Sequence, residues 1–167
     1  MSWRGGAKGL MNSPISKDLA LLILRLAGIG LAYAHGWAKV VELVSGESER
    51  RIAGIANLGF PMPGFFAWCA ALAEFAGGLL VASGLFTRVA ASFAAFTMCV
   101  AGFLRHKFHL QVLVALGLLS VPEETAEGWG NPELALIYCL VMVSLILMGG
   151  GRFSLDHVMG KRGKGRR

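Results

Sequence analysis

Four ionisable residues lie within long apolar stretches of the sequence: Arg25, His35, Lys39 and Glu74. An ionisable side chain inside a membrane span costs ~2.5–3.5 kcal/mol on insertion scales, so it usually faces the interior of a helix bundle and pairs with a second group. At about 100° per residue, Arg25 and Lys39 fall ~40° apart around a helix, and His35 adjoins Lys39. One stripe of the first helix is therefore predicted to carry all three, with Glu74 facing it from the second helix.

An ion pair between Arg25 and Glu74 is the simplest way to neutralise both charges. Antiparallel packing of the first two helices is expected to place the two residues at comparable depths, within reach of the long arginine side chain. Small residues around Glu74 permit another helix to approach closely: Ala70, Ala73, Gly77 and Gly78. Two interpretations stay open, a pair that only fixes helix register and a pair that belongs to a polar functional pocket.

Three histidines are predicted to lie near one depth, His35 on the first helix and His106 and His109 near the end of the third. Histidine can ligate a metal or donate a hydrogen bond to a quinone carbonyl. The spacing fits no recognised metal signature, so we predict no metal site and regard a quinone as the candidate ligand. Ordinary histidines at the membrane interface are the alternative interpretation.

The three cysteines, Cys69, Cys99 and Cys139, are far apart, and each lies within an apolar segment. No C-x-x-C pair occurs, so neither a dithiol redox motif nor a zinc site is predicted. We interpret the cysteines as small buried hydrophobic residues. The sequence also contains no flavin, haem or iron–sulfur motif, so redox chemistry would need a partner's cofactor or the quinone itself.

Four apolar stretches must position these residues: 19–44, 64–86, 89–104 and 134–149. A membrane-spanning helix needs ~20 residues, so the first two stretches are long enough and the last two need flanking residues at the interface. Charged residues make up only 16% of the chain, against roughly 25% in soluble domains. We therefore predict an all-α integral membrane protein, a transmembrane bundle of four helices.

The apolar segment 110–121 is too short to cross a bilayer, because its residues reach only ~18 Å as a helix. We predict that it forms a short interfacial or re-entrant helix before the last span. The alternative is a single bent helix that continues the third span and carries Arg105, His106 and Lys107 into the membrane. The acidic loop that follows is interrupted by Gly and Pro and is predicted to be exposed to solvent.

Basic residues divide unequally between the two sides of this topology, with ten on the side of the tails and five on the other. By the positive-inside rule both termini face the cytoplasm, and we interpret the chain as a multi-pass protein of the bacterial cytoplasmic (inner) membrane. Topology and contact with anionic lipid then explain the net charge of +6 without nucleic-acid binding. The predicted organisation is a basic tail at 1–17, a transmembrane domain at 18–151 and a basic tail at 152–167.

Several short motifs resemble the DoxX family, and they occur in the family's order. They are RLAG at 25–28, HGWAK at 35–39, GFPMP at 59–63, EFAGG at 74–78, GLFTR at 84–88 and GGGRFSLD at 149–156. Each motif is weak alone. Their order and spacing cover nearly the whole chain, which makes the resemblance specific.

The resemblance implies a four-helix membrane protein. DoxX-like proteins are associated with quinone-linked oxidation of sulfur compounds, with oxidative-stress complexes and with accessory membrane subunits. The leading hypothesis is therefore a membrane subunit of a quinone-linked oxidoreductase or oxidative-stress system, whose own catalytic activity is left open. Catalytic roles are predicted for His35, which exchanges a proton with a quinone carbonyl, and for Glu74, its proton partner. The predicted ligand-binding residues are Arg25, Lys39, Trp37, Trp68 and His106.

Two alternatives come from other functional classes. In the first, the protein is a non-catalytic scaffold or assembly subunit, whose buried charges specify helix packing and whose loops recruit a partner. In the second, it is a small proton-coupled transporter with Glu74 as the relay, which would need at least a dimer because four spans are few for a monomer. Membrane lipid is an expected partner throughout, and redox subunits are expected in the leading hypothesis.

Overall fold

The computed structural model of the protein describes residues 14–164, with side chains as far as residue 161. Residues 1–13 of the predicted amino tail and 165–167 of the predicted carboxyl tail lie outside the described residues. Between residues 14 and 164 every regular element is a helix, and no strand occurs. The helices of this part are α1 Pro14–Ser45, α2 Glu49–Asn57, α3 Pro63–Ser83, α4 Thr87–Arg105, α5 Phe108–Ala115, α6 Glu123–Glu127, α7 Glu133–Met148 and α8 Leu155–Lys164.

Three helices, α1, α3 and α4, are long and apolar enough to cross a membrane, with 32, 21 and 19 residues. The fourth apolar helix, α7, has 16 residues. At 1.5 Å per residue it is about 24 Å long, against ~30 Å for the hydrocarbon layer. These four helices confirm the predicted all-α membrane bundle. Many large hydrophobic side chains on their outward faces are exposed, as expected of helices that contact lipid.

The bundle has two ends, because its long helices alternate in direction. We name them by the segments that they hold. The tail end contains the start of α1, the turn between α3 and α4, and the segment between α7 and α8, which are joined by hydrogen bonds. The loop end contains α2, α5 and α6 with the turns around them.

Glycines set the register of α1 against α3. A Cβ added to Gly28 would lie 2.4 Å from the carbonyl oxygen of Gly78, and one added to Gly78 would lie 2.6 Å from that of Gly28. Further along, a Cβ on Gly36 would lie 2.4 Å from the backbone nitrogen of Phe75. Such close approach is open only to residues without a side chain. The prediction that Gly78 permits close packing is confirmed.

Both α1 and α4 contain a π-helical segment, at Leu31–Gly36 and Val100–Arg105. A π-helix bonds residue i to i+5, so the side chains that follow are rotated from the positions of a regular α-helix. The segment in α1 includes His35 and precedes Lys39. The prediction of one polar stripe assumed 100° per residue throughout, and α1 does not keep that winding.

The chain turns between α4 and α5 at Lys107, whose φ is +51°. This left-handed conformation interrupts the helix, so the alternative of one bent helix through Arg105 and Lys107 is wrong. The predicted short helix before the last span is present as α5. It has 8 residues, about 12 Å, and is shorter than the predicted segment 110–121.

Candidate functional site

Arg25 is buried at the tail end, where its guanidinium donates hydrogen bonds to four backbone carbonyls. Two belong to the last turn of α3, Val81 at 3.1 Å and Ala82 at 2.7 Å. The other two follow α7, Gly150 at 3.2 Å and Phe153 at 3.0 Å. The final carbonyls of a helix have no partner within it and carry partial negative charge, which a cation stabilises. Arg25 therefore ties α1 to the ends of both α3 and α7.

The predicted ion pair between Arg25 and Glu74 is wrong. The close contact of Gly28 with Gly78 places Arg25 level with Val81 rather than Glu74. Seven residues separate these two positions of α3, about 10 Å along the helix axis. Arg25 satisfies its donors at the end of α3 instead.

Glu74 forms its ion pair with Lys39, whose Nζ donates to the carboxylate Oε1. Glu74 is only 2% exposed, and its second oxygen, Oε2, is buried without a hydrogen-bond partner among the described residues. A buried polar atom without a partner costs about 1–3 kcal/mol, and more when it is charged. The pair thus leaves one strong acceptor available inside the bundle.

Lys39 and Glu74 line a cavity of about 1180 Å³ that opens at the loop end, between α1, α2, α3, α4 and the loop before α7. Basic side chains outnumber acidic ones in its wall. The basic residues are Lys39, Arg50, Arg51, Arg105 and Lys107. The acidic residues are Glu42, Glu47 and Glu74.

Some of these charges are already paired. Arg51 donates to the carboxylate of Glu42 from Nε at 2.8 Å and Nη2 at 2.5 Å, and Lys107 lies 5.8 Å from the ring centre of Trp129. Within the described part of the chain, the side chains of Arg50 and Arg105 take part in no hydrogen bond or ion pair. The mouth of the cavity therefore keeps positive charge that a polar or anionic group can meet.

The structure separates His35 from this cavity. Its ring meets that of Tyr138 on α7 edge to face, with centroids 5.7 Å apart, and it is not among the lining residues. Lys39, four positions further, faces α3 instead. His35 and Lys39 therefore meet different helices, α7 and α3, and do not contribute to one polar site.

Three of the predicted ligand-binding residues also lie outside the cavity lining, namely Trp37, Trp68 and His106. Trp37 packs on Phe75 with ring centroids 5.4 Å apart, and Trp68 is partly exposed on α3. The Nδ1 atom of His106 lies 2.8 Å from the carbonyl oxygen of Trp129. No cluster of three or more metal-ligating side chains occurs between residues 14 and 161.

The sequence places Asp156 in the GGGRFSLD motif but does not predict its contact with the start of α4. Its carboxylate accepts hydrogen bonds from the backbone of Phe86 at 2.7 Å and Thr87 at 2.9 Å, and from the Thr87 hydroxyl at 2.8 Å. Burial raises the pKa of Asp156, but these hydrogen bonds and nearby Arg25 outweigh burial and hold the pKa below its usual value. The carboxylate caps the start of α4 from 69 positions away in sequence, a separation at which no local motif signals the contact.

A cysteine pair also escaped the sequence analysis. The Sγ atoms of Cys99 on α4 and Cys139 on α7 lie 3.2 Å apart as free thiols, whereas Cys69 is exposed. The prediction that the cysteines are small buried hydrophobic residues is wrong for Cys69, and it did not include the contact between Cys99 and Cys139. Their 40-residue separation gives no motif.

Comparison with known proteins identifies the family. The family model of DoxX matches residues 20–107, from the first turns of α1 to the end of α4. This range includes Arg25, Lys39 and Glu74 and covers more than half of the chain. Comparison with curated proteins and with solved structures gives no match. The match over α1 to α4, together with the all-helical membrane bundle, shows that the chain belongs to the DoxX family.

Proposed function

We propose that the protein is a membrane subunit of a quinone-linked redox system and that it binds the quinone headgroup beside Lys39 and Glu74. One observation carries the proposal. A buried carboxylate in the cavity wall uses one oxygen for Lys39 and has no partner for the other among the described residues. A ligand that presents a hydroxyl group at this point, as a quinol does, would donate to this oxygen and complete its hydrogen bonding.

The Lys39–Glu74 pair has the groups that quinone reduction needs. Conversion of a quinone to a quinol takes up two electrons and two protons, and negative charge develops on the carbonyl oxygens. Lys39 can donate a hydrogen bond to such an oxygen and stabilise the charge, while Glu74 exchanges a proton with it. The electrons come from a partner redox subunit in this proposal.

The cavity also suits an amphiphilic ligand. Its charged mouth lies at the loop end, and its apolar wall includes Phe93 and Phe96 of α4. These two side chains are 63% and 60% exposed, on the outward surface of a helix that is long enough to span a membrane. The cavity thus extends to the lipid-facing surface, where an isoprenoid tail can stay in the bilayer while the headgroup reaches Glu74.

The proposal keeps Lys39 and Glu74 of the residues predicted for the site and reassigns two others. Arg25 is a structural residue of the tail end, because its guanidinium is occupied by four carbonyls. His35 supports α7 through Tyr138 and does not meet the headgroup.

The proposed location is a bacterial cytoplasmic membrane with both termini inside. The tail end carries Lys17, Arg88, Arg152 and Lys161 within the described residues, and further basic residues follow in the sequence. Such an excess supports an inward-facing tail end. The cavity mouth at the loop end would then face outward.

The test is the quinone content of protein purified in mild detergent, measured by solvent extraction and chromatography. We expect near-stoichiometric quinone in the wild type and in His35→Ala, and a loss of at least tenfold in Glu74→Gln. Gel filtration and far-UV circular dichroism control for folding. Loss in His35→Ala with retention in Glu74→Gln would refute the site, and trace quinone in every folded variant would favour the non-catalytic scaffold.

A further inference from the structure

Cys99 and Cys139 form a dithiol contact inside the bundle. Their sulfur atoms lie 3.2 Å apart and share a hydrogen bond, closer than the ~3.5–4.0 Å of ordinary contacts between carbon atoms. Both are free and half-buried. Cys69, on the exposed surface of α3, provides an internal comparison because it is not part of this contact.

Small side chains bring the two sulfur atoms together. Helix α4 packs on α7, and Ala91 and Ala94 of α4 are fully buried in the core that the two helices share. Close to Cys99, Gly102 faces Leu136 of α7 so tightly that an added Cβ would lie 3.2 Å from its Cδ2 atom. Such residues let two backbones approach. The short distance between the helices therefore leaves the two thiols facing each other.

Closure to a disulfide needs only a small movement. An S–S bond is about 2.05 Å long, so the sulfur atoms must approach by roughly 1.2 Å from their 3.2 Å contact. Rotation of two unbranched side chains supplies a shift of this size without moving the helices apart.

We propose that Cys99 and Cys139 are a redox-active dithiol that a membrane-soluble quinone oxidises to a disulfide. Both S–H bonds break and one S–S bond forms. The two thiols release two electrons and two protons, and the quinone takes up both pairs to become a quinol. The choice of quinone as oxidant rests on the proposed function, whereas the thiol contact does not.

The position of the pair selects the kind of oxidant. Cys139 precedes Leu140, which is 68% exposed on the apolar surface of α7. Residues next to Cys99 in the chain, Val100 and Ala101, line the cavity on another face of α4. An uncharged oxidant dissolved in lipid can reach the thiols from the surface of α7, and a charged water-soluble oxidant such as ferricyanide is kept out.

The experiment uses the full chain in liposomes, in a Cys69→Ser background that leaves only the pair. Reduced protein is incubated anaerobically with decylubiquinone or with ferricyanide, unfolded and treated with a maleimide. With the quinone we expect loss of both alkylatable thiols, an intact mass about 2 Da lower and one quinol per protein. Dithiothreitol should then restore the thiols and the mass. With ferricyanide alone we expect both thiols to remain.

Control variants test whether oxidation requires both cysteines. Cys99→Ser and Cys139→Ala in the same background should each keep one alkylatable thiol and form no quinol. Two alkylatable thiols remaining after quinone treatment of the parent protein would overturn the proposal, even if copper–phenanthroline closes the disulfide. Quinone extraction on the same preparations reports on the Glu74 site, so failure of one proposal is distinguishable from failure of the other.

Discussion

Lys39 and Glu74 offer a direct measure of how strongly a buried ion pair joins α1 to α3. Lys39→Met keeps the length and the apolar part of the side chain but removes the cation, which leaves the carboxylate of Glu74 buried and unpaired. Removing one partner of a buried pair costs about 3–5 kcal/mol. The Lys39 side chain is 23% exposed, so partial solvation places the expected loss near the lower limit, about 3 kcal/mol.

A double-mutant cycle tests this expectation. The free energy of unfolding is measured by titration with sodium dodecyl sulfate in mixed micelles, followed by tryptophan fluorescence, for Lys39→Met, Glu74→Gln and the double variant. We expect the double variant to be more stable than Lys39→Met, with a coupling energy of about 2 kcal/mol, because the neutral pair no longer buries a lone charge.

The exposed pair of Arg51 with Glu42 provides the matched control. The two cations are similarly exposed, but the Glu42 side chain is 40% exposed against 2% for Glu74. The cycle of Arg51→Met with Glu42→Gln should therefore give a coupling below about 1 kcal/mol. Effects of the Lys39 and Glu74 substitutions that add within ~0.5 kcal/mol would refute the buried pair as an energetic unit.

Three further predictions concern the packing of α1 and α3 and the capping at the tail end. Arg25→Leu removes the donor to four carbonyls and should lower the free energy of unfolding by at least ~3 kcal/mol in the same titration. Arg25→Lys should recover part of this loss. An unchanged free energy of unfolding in Arg25→Leu would contradict the hydrogen-bond network. Gly78→Ala places a Cβ 2.6 Å from the Gly28 oxygen and should cost ~1–3 kcal/mol. Gly54→Ala, which meets no atom within 4 Å, should change stability by less than ~0.5 kcal/mol, and equal losses would contradict the close contact. Burial raises the pKa of Asp156, but the hydrogen bonds to its carboxylate outweigh burial and hold the pKa below its usual 3.8. The carboxylate's contribution to stability is complete above pH 3.8 and is lost as the pH falls through the lowered pKa. Asp156→Asn should therefore flatten the acid limb of unfolding free energy against pH, and an unchanged limb would exclude this carboxylate as its cause.

The sequence predicts which residues are buried better than it predicts their partners. The cost of placing a charge in lipid is a local property, and it correctly indicates that Arg25 and Glu74 face the interior of the bundle. The partner that each of these charges meets depends on the register of α1 against α3, which the Gly28–Gly78 contact sets. Arginine also has five donors, so a cluster of helix-end carbonyls satisfies it more fully than one carboxylate.

Features that depend on contacts between distant segments could not be predicted from motifs. The cavity combines parts of four helices and a loop, and the two thiols that meet are 40 residues apart.

Arg25 and Lys39, two cations of α1 with partners inside the bundle, have different roles in stability and in binding. Arg25 is bonded to four carbonyls at the tail end, so its substitution should weaken the fold and, through it, every activity. At the loop end, Lys39 leaves one oxygen of Glu74 without a partner in the described chain. A ligand that bonds this oxygen removes an energetic cost that the free protein carries. Replacing both charges of the Lys39–Glu74 pair with neutral residues should therefore preserve the fold and abolish ligand binding. This is the behaviour expected of a binding site rather than of a structural ion pair.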